Sequence, residues 1–209
     1  MMRELHDKGI SMRRSLFVSI SFRALLPLCL STAIGCAVVN PDNTADVSAF
    51  SKDLEWDDDI FEVRSSNGKL TIRTFGQDEG NEIFEHPIQG RVTGAESADL
   101  NHDGFPEVLV YVVSPDAASY GTVIGYSSNN GKSMSPITFP ATATNAKINQ
   151  GYQGHDTFSS AQDTLVQRFP VFRSGDASTR PTGPTRQVQY ALVEGETSRA
   201  FEVSRTFEN

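Results

Sequence analysis

From residue 50 onward, short apolar runs alternate with clusters of Gly, Pro, Asn, Asp and Ser. Residues 60–64 and 70–75 flank Ser66-Asn67-Gly68, and Asn-Gly between two such runs is the strongest short-range hairpin signal. Residues 107–113 (EVLVYVV) are the most apolar run and predict a central strand. Residues 120–127 (YGTVIGYS) follow, closed by Asn129-Asn130-Gly131. Residues 164–172 (TLVQRFPVF) predict another strand, whose end Pro170 places at an edge or a bulge. Residues 187–193 and 200–205 predict a last hairpin around Glu194-Gly195-Glu196. In its first strand Val188, Tyr190 and Leu192 share one face, with Gln187 and Gln189 opposite.

No helical periodicity is sustained. About eight to nine strands at roughly 8–12-residue spacing predict an all-β domain over residues 50–209, an antiparallel β-sandwich or barrel. Residues 141–154 have room for one helical turn. Residues 173–185 form a long Gly/Pro/Ser loop, and ordered loops of that length are often functional.

The N-terminus follows another logic. Residues 1–23 carry five basic and two acidic side chains, and a short apolar run, 24–34, comes next. A basic start, a short apolar core and small residues before a cut site describe an export signal. The run is shorter than the ~20 residues that span a bilayer. Met12 offers an alternative start with a compact basic head. The segment Ala33-Ile34-Gly35-Cys36 resembles the lipobox of bacterial lipoproteins, with Ala33 where leucine is usual. That resemblance implies lipidation of Cys36, a signal peptide over 1–35, and anchoring in the cell envelope on the periplasmic face. Ordinary cleavage nearby, giving a secreted protein, is the alternative. Residues 36–49 are small, polar and aperiodic and read as a flexible tether.

Charge then narrows the partners. The 209 residues carry 18 basic and 26 acidic side chains; without the signal's five and two, residues 36–209 carry a net −11. Such a chain lacks the basic footprint of a nucleic-acid binder. It favours encounter with basic proteins. Cys29 and Cys36 are the only cysteines, so no disulfide framework or cysteine zinc site is available.

Two stretches carry chemistry. Asp99, Asn101 and Asp103 put oxygen ligands at alternate positions before Gly104, with Glu107 after, the spacing of a calcium loop. An EF-hand would need a bidentate acid at its twelfth position, where Val110 stands, so the loop resembles those of FG-GAP and dockerin-like proteins instead. Asp and Asn also hold such a turn by accepting their own backbone amides, without metal. Both readings stand: a Ca2+ site at Asp99, Asn101, Asp103 and Glu107, or a self-bonded turn. The second stretch is Ser114-Pro115-Asp116-Ala117-Ala118-Ser119-Tyr120, which predicts a hairpin loop presenting Ser119 and Tyr120. Tyrosine supplies a rigid amphipathic contact and serine an adaptable hydrogen bond. The alternative is that Tyr120 opens a strand and packs on the core.

Taken together, ADLNHDGFPEVLVYVVSPDAASYGTVIGY resembles the periplasmic inhibitors of invertebrate-type (i-type) lysozyme. That family reads D-[IL]-[DN]-x-D-G-x-P-E-[LI]-x-V and then a Ser-Gly-Ser-Tyr-like loop. The segment from Gly151 to Tyr190 is similar to lipoprotein members of the group, and the resemblance covers about residues 60–205. It implies an all-β, non-enzymatic protein that inserts a loop into a lysozyme's cleft. The family's four loop residues fall on Ala117, Ala118, Ser119 and Tyr120; the last two match and the alanines depart. Ala117 lacks a hydroxyl that would meet a catalytic carboxylate, and Ala118 lacks glycine's backbone freedom. The implied partners are a lysozyme, the membrane through the lipid, and, left open, a second copy in a homodimer.

The remaining candidates are weaker. His86, His102 and His155 have no metal spacing, and His155-Asp156 suits a turn better than a catalytic pair. Glu55 and Asp57–Asp59 beside Trp56 read as a solvated run, and Arg180 and Arg186 as a possible second contact. A calcium-binding surface or adhesion module is the rival to the inhibitor.

Overall fold

The computed structural model describes residues 49–209. The signal segment, Cys36 and the tether up to residue 48 lie outside the described residues. Twelve strands run along the described chain: β1 Phe50–Trp56, β2 Asp59–Ser66, β3 Lys69–Phe75, β4 Ile83–Pro87, β5 Arg91–Ala98, β6 Glu107–Val113, β7 Gly121–Ser128, β8 Met134–Ile137, β9 Thr157–Ala161, β10 Thr164–Pro170, β11 Thr185–Val193 and β12 Ala200–Glu208. They form three antiparallel four-stranded sheets, ordered β1-β2-β3-β4, β5-β6-β7-β8 and β12-β11-β10-β9. A single 3-10 turn, Thr142–Thr144, fills the predicted helical stretch. The all-β class is as the sequence predicts. The strand count is twelve rather than eight to nine, because half-exposed strands such as β4 and β9 carry little apolar signal.

The arrangement explains the most apolar run. Every residue of β6 is buried. Val108, Val110 and Val112 share one core with Phe61, Val63, Leu70 and Ile72 of the first sheet. Leu109 and Tyr111 share a second core with Leu165, Phe169, Val188 and Tyr190 of the third. The β5–β8 sheet is therefore the middle of three layers. A strand covered on both faces reads as continuous apolar sequence rather than as alternation. Strands β2 and β3 cover one face only and alternate, with Phe61, Val63, Leu70 and Ile72 inward and Glu62, Arg64 and Arg73 outward. Each large side chain so buried stabilises the fold by roughly 1.5–3 kcal/mol.

Turn chemistry sets the registers. Asn67 and Gly68 both adopt positive φ, 51° and 74°, the pairing that a type I′ hairpin requires. Pro170 closes β10 opposite Thr185, beyond the last β9 pair at Arg168, so its missing N–H costs no ladder bond on the β9 side.

The turns sort to two ends of the stack. At one end, Trp56 Nε1 donates to Gly104 O at 3.4 Å, Asp78 N to Gly131 O at 2.9 Å and Arg199 Nη1 to Ser128 O at 3.0 Å. The other end holds residues 114–120 between β6 and β7, against 151–156 and the long 171–185 loop. There His155 N donates to Ala118 O at 2.5 Å and Phe172 N to Gly151 O at 2.8 Å.

Candidate functional site

The 114–120 loop is exposed at its tip and fixed at its base. Tyr120 is 43% exposed, and its ring meets Tyr152 edge-on with centroids 5.7 Å apart. It therefore does not pack into the core. Ala117 is exposed, while Ala118 and Ser119 are half-buried. Ser114 N donates to Tyr120 O at 2.9 Å and Tyr120 N to Ser114 Oγ at 2.8 Å, closing the loop. Asp116 Oδ1 accepts the amides of Ala118 and Ser119 at 2.9 and 3.0 Å. Ser119 sits at φ 48°, a left-handed conformation that its neighbours' hydrogen bonds must enforce. Its Oγ reaches Asp116 O only at 3.5 Å, so this hydroxyl can take a better partner.

The 151–156 segment anchors the loop from behind. Gly154 lies so close to Ala118 O that a Cβ there would come within 2.2 Å of it, which explains glycine at φ 86°. Asp156 is buried and saturated: Oδ2 accepts Gly121 N at 2.7 Å and Tyr152 Oη at 2.6 Å, and Oδ1 accepts Gln167 Nε2 at 2.7 Å. Burial pushes its carboxyl above the ordinary aspartate range, and these three bonds oppose the rise. Gln167 passes the network on to Thr142 and Tyr190.

Beside Ser119 lies an open groove of about 540 Å³, lined by Lys52, Arg91, Thr93, Glu96, Tyr111, His155 and Phe158 among others. Glu96 is engaged: its Oε2 accepts Tyr111 Oη at 3.1 Å and Ser160 N at 2.7 Å. Lys52 Nζ donates to Ala95 O at 2.8 Å. Among the described residues no carboxylate pairs with Lys52 or Arg91. Ser119, His155 and Asp156 share this wall without forming a relay. The His155 Nε2 lies 3.2 Å from Ser178 O, and the Asp156 oxygens face Gly121, Tyr152 and Gln167.

The calcium-like loop lies at the opposite end. Asp99, Asn101 and Asp103 do converge, but on backbone amides. Asp99 accepts Asp103 N at 3.2 Å and Gly104 N at 3.0 Å, Asn101 Oδ1 accepts Asp103 N at 3.2 Å, and Asp103 Oδ1 accepts Phe105 N at 2.9 Å. Glu107 is fully buried beneath the turn, with Oε2 on Leu100 N at 2.7 Å and Oε1 on Ser127 Oγ at 2.6 Å. Burial holds its carboxyl above the ordinary glutamate range. A guanidinium supplies positive charge here: Arg199 Nη2 lies 3.3 Å from Asp103 Oδ2, and its Nη1 donates to Ser127 Oγ. Among the described residues no group of three or more His, Cys, Asp or Glu is arranged to hold a metal.

Charge is unevenly placed. Asp57, Asp58, Asp59 and Asp78 crowd the calcium-like end, and Asp59 is held above its ordinary range by burial and by these neighbours. The loop end carries exposed Arg91, Arg173 and Arg180 together with the exposed Asp116 and the half-buried Asp176. His86 bonds Tyr126 Oη at 2.8 Å, His102 lies 3.6 Å from Asp163, and Arg186 is buried against Glu208 and the carbonyls of Ile148 and Gln150. Arg186 thus serves packing, while Arg180 stays at the surface.

No protein-family model, curated protein or solved structure matches the chain. Of the groups that shape the site, Asp156 stood out in the sequence only as a turn partner of His155, and Lys52 and Arg91 stood out by no local motif.

Proposed function

We propose that the chain is an envelope protein, tethered by lipid on Cys36, that inhibits an i-type lysozyme by inserting the 114–120 loop into the enzyme's cleft. The observation that carries this reading is the pairing of an exposed Tyr120 with a loop backbone fixed at both legs. A loop held rigid before binding loses little entropy on insertion, which lowers the cost of binding. Lysozyme-type cleavage uses two carboxyl groups flanking the scissile bond. The Ser119 hydroxyl and Tyr120 phenol are donors of the right kind for such groups, and neither is committed to a strong partner within the chain. The order of motifs from Asp99 to Tyr120 supports the same reading. Residues 37–209, purified, slow an i-type lysozyme in a cell-wall clearing assay, and Tyr120→Ala weakens the effect. Absence of inhibition of every lysozyme class at micromolar protein overturns the proposal.

A further inference from the structure

We infer that the acidic cleft at the calcium-like end of the stack binds an arginine side chain of a basic protein partner. The cleft lies at the opposite end from the 114–120 loop, so this inference does not rest on the inhibitor reading.

Four observations carry it. The first is a juxtaposition made by folding. The β1–β2 turn supplies Asp57, Asp58 and Asp59, and the segment after β3 adds Asp78, whose amide donates to Gly131 O at 2.9 Å. With Trp56 and Phe105 these carboxylates line an open cleft of about 380 Å³. No Lys, Arg or His lines it; Lys132, one residue beyond the lining Gly131, is not part of the wall. The charge of the wall is therefore of one sign. Second, burial and then the charges of Asp57, Asp58 and Asp78 hold the Asp59 carboxyl above its ordinary range, so these like charges are close enough to repel. A bound cation relieves that repulsion. Third, Gln77 stands between the lining residues Gly76 and Asp78 and is only 5% exposed, yet neither its Oε1 nor its Nε2 has a hydrogen-bond partner. Its amide faces the Asp59 carboxyl closely enough to favour the charged form, so the orphaned group lies directly against the acidic wall. A buried amide without partners calls for a group that satisfies it, and its oxygen needs a donor. Fourth, Trp56 and Phe105 are half-buried and set aromatic surface beside the carboxylates. A guanidinium is planar, carries only donors and stacks on aromatic faces. One arginine side chain thus brings charge for the carboxylates, an N–H for Gln77 Oε1 and a flat face for the rings. Free arginine would also bring its own carboxylate to this wall, so an arginine within a protein chain fits better.

Trp56 is the only tryptophan of the chain, so intrinsic fluorescence reads this cleft alone. Hexaarginine, hexalysine and calcium chloride are each titrated at low salt into residues 37–209. The same titrations are run on Asp58→Asn/Asp78→Asn, on Gln77→Leu and on the control Asp163→Asn/Glu202→Gln. The control removes two exposed charges from the third sheet, so it alters net charge equally without touching the cleft. Melting curves show which variants fold; the exposed Asp58 and Asp78 carry the test should Gln77→Leu not fold. The expected result is a saturable change in Trp56 emission with hexaarginine, weaker with hexalysine. Affinity for hexaarginine should fall about tenfold or more in Asp58→Asn/Asp78→Asn and in Gln77→Leu, and stay within about twofold in the control. No saturable response, undiminished affinity in either cleft variant once folded, or an equal loss in the control overturns the inference. Hexalysine binding as tightly as hexaarginine reduces the cleft to charge alone and also overturns it. So does a saturable calcium response without one to hexaarginine, which makes the cleft a metal site. None of these outcomes bears on lysozyme inhibition.

Discussion

Asp156 Oδ2 accepts the Gly121 amide at 2.7 Å across 35 residues of chain. This bond fastens the return leg of the exposed loop to the segment leading into the third sheet. The same carboxylate holds Tyr152 and Gln167, so one buried group aligns the loop, its aromatic neighbour and the second core.

Replacing Asp156 with Ala strands the Gly121 amide and the Gln167 amide in a buried site. Each orphaned donor costs about 1–3 kcal/mol, so Asp156→Ala should destabilise the fold by roughly 2–4 kcal/mol in urea unfolding. It should also weaken inhibition beyond what the lost stability explains, because the loop loses its rear support. A variant as stable as the unchanged protein contradicts this account of the anchor.

Gly154→Ala strains the same support from the opposite side. The added Cβ meets the Ala118 carbonyl at 2.2 Å, on a backbone at φ 86°. We expect a loss of about 2 kcal/mol or more and displacement of the loop. Hydrogen exchange at the 114–120 amides reads this directly: protection should fall there first.

Glu107 predicts a pH signature. Its folded carboxyl titrates above the ordinary range because of burial. The folded state therefore holds that proton more tightly than the unfolded chain does. The resulting stability is complete below the unfolded value of about 4.3 and is lost as pH rises through the folded value. Glu107→Gln does not titrate. The melting temperature of the unchanged protein minus that of Glu107→Gln should fall as pH goes from 4 towards 7. A constant or rising difference contradicts the assignment.

The Asp99–Glu107 loop predicts a contrast between arginine and calcium. Arg199→Ala removes the guanidinium from Asp103, Ser127 and Ser128 and should cost about 2–3 kcal/mol. Millimolar calcium, or chelator, should leave the melting temperature of the unchanged protein where it was. A calcium-dependent rise of several degrees supports the calcium-module reading instead.

Sequence patterning reached as far as single strands allow. The continuous apolar run of β6 and the alternation in β2, β3 and β11 name their own burial. β1 buries one residue, Leu54, and β4 none fully, so their apolar pattern is too thin to read. The three-layer stacking was hidden because pattern tells which face is covered, not which sheet covers it. The loop at 114–120 was legible from its turn residues. The anchoring role of Asp156 was not, because its partner Gly121 lies 35 positions away and is joined to it by folding alone.

The most direct measurement of the central claim is inhibition of an i-type lysozyme by residues 37–209, side by side with Tyr120→Ala. The account predicts dose-dependent inhibition by the unchanged protein and at least about a tenfold loss for the variant, with both melting alike. Equal inhibition by the two, or none by either at micromolar concentration, contradicts it.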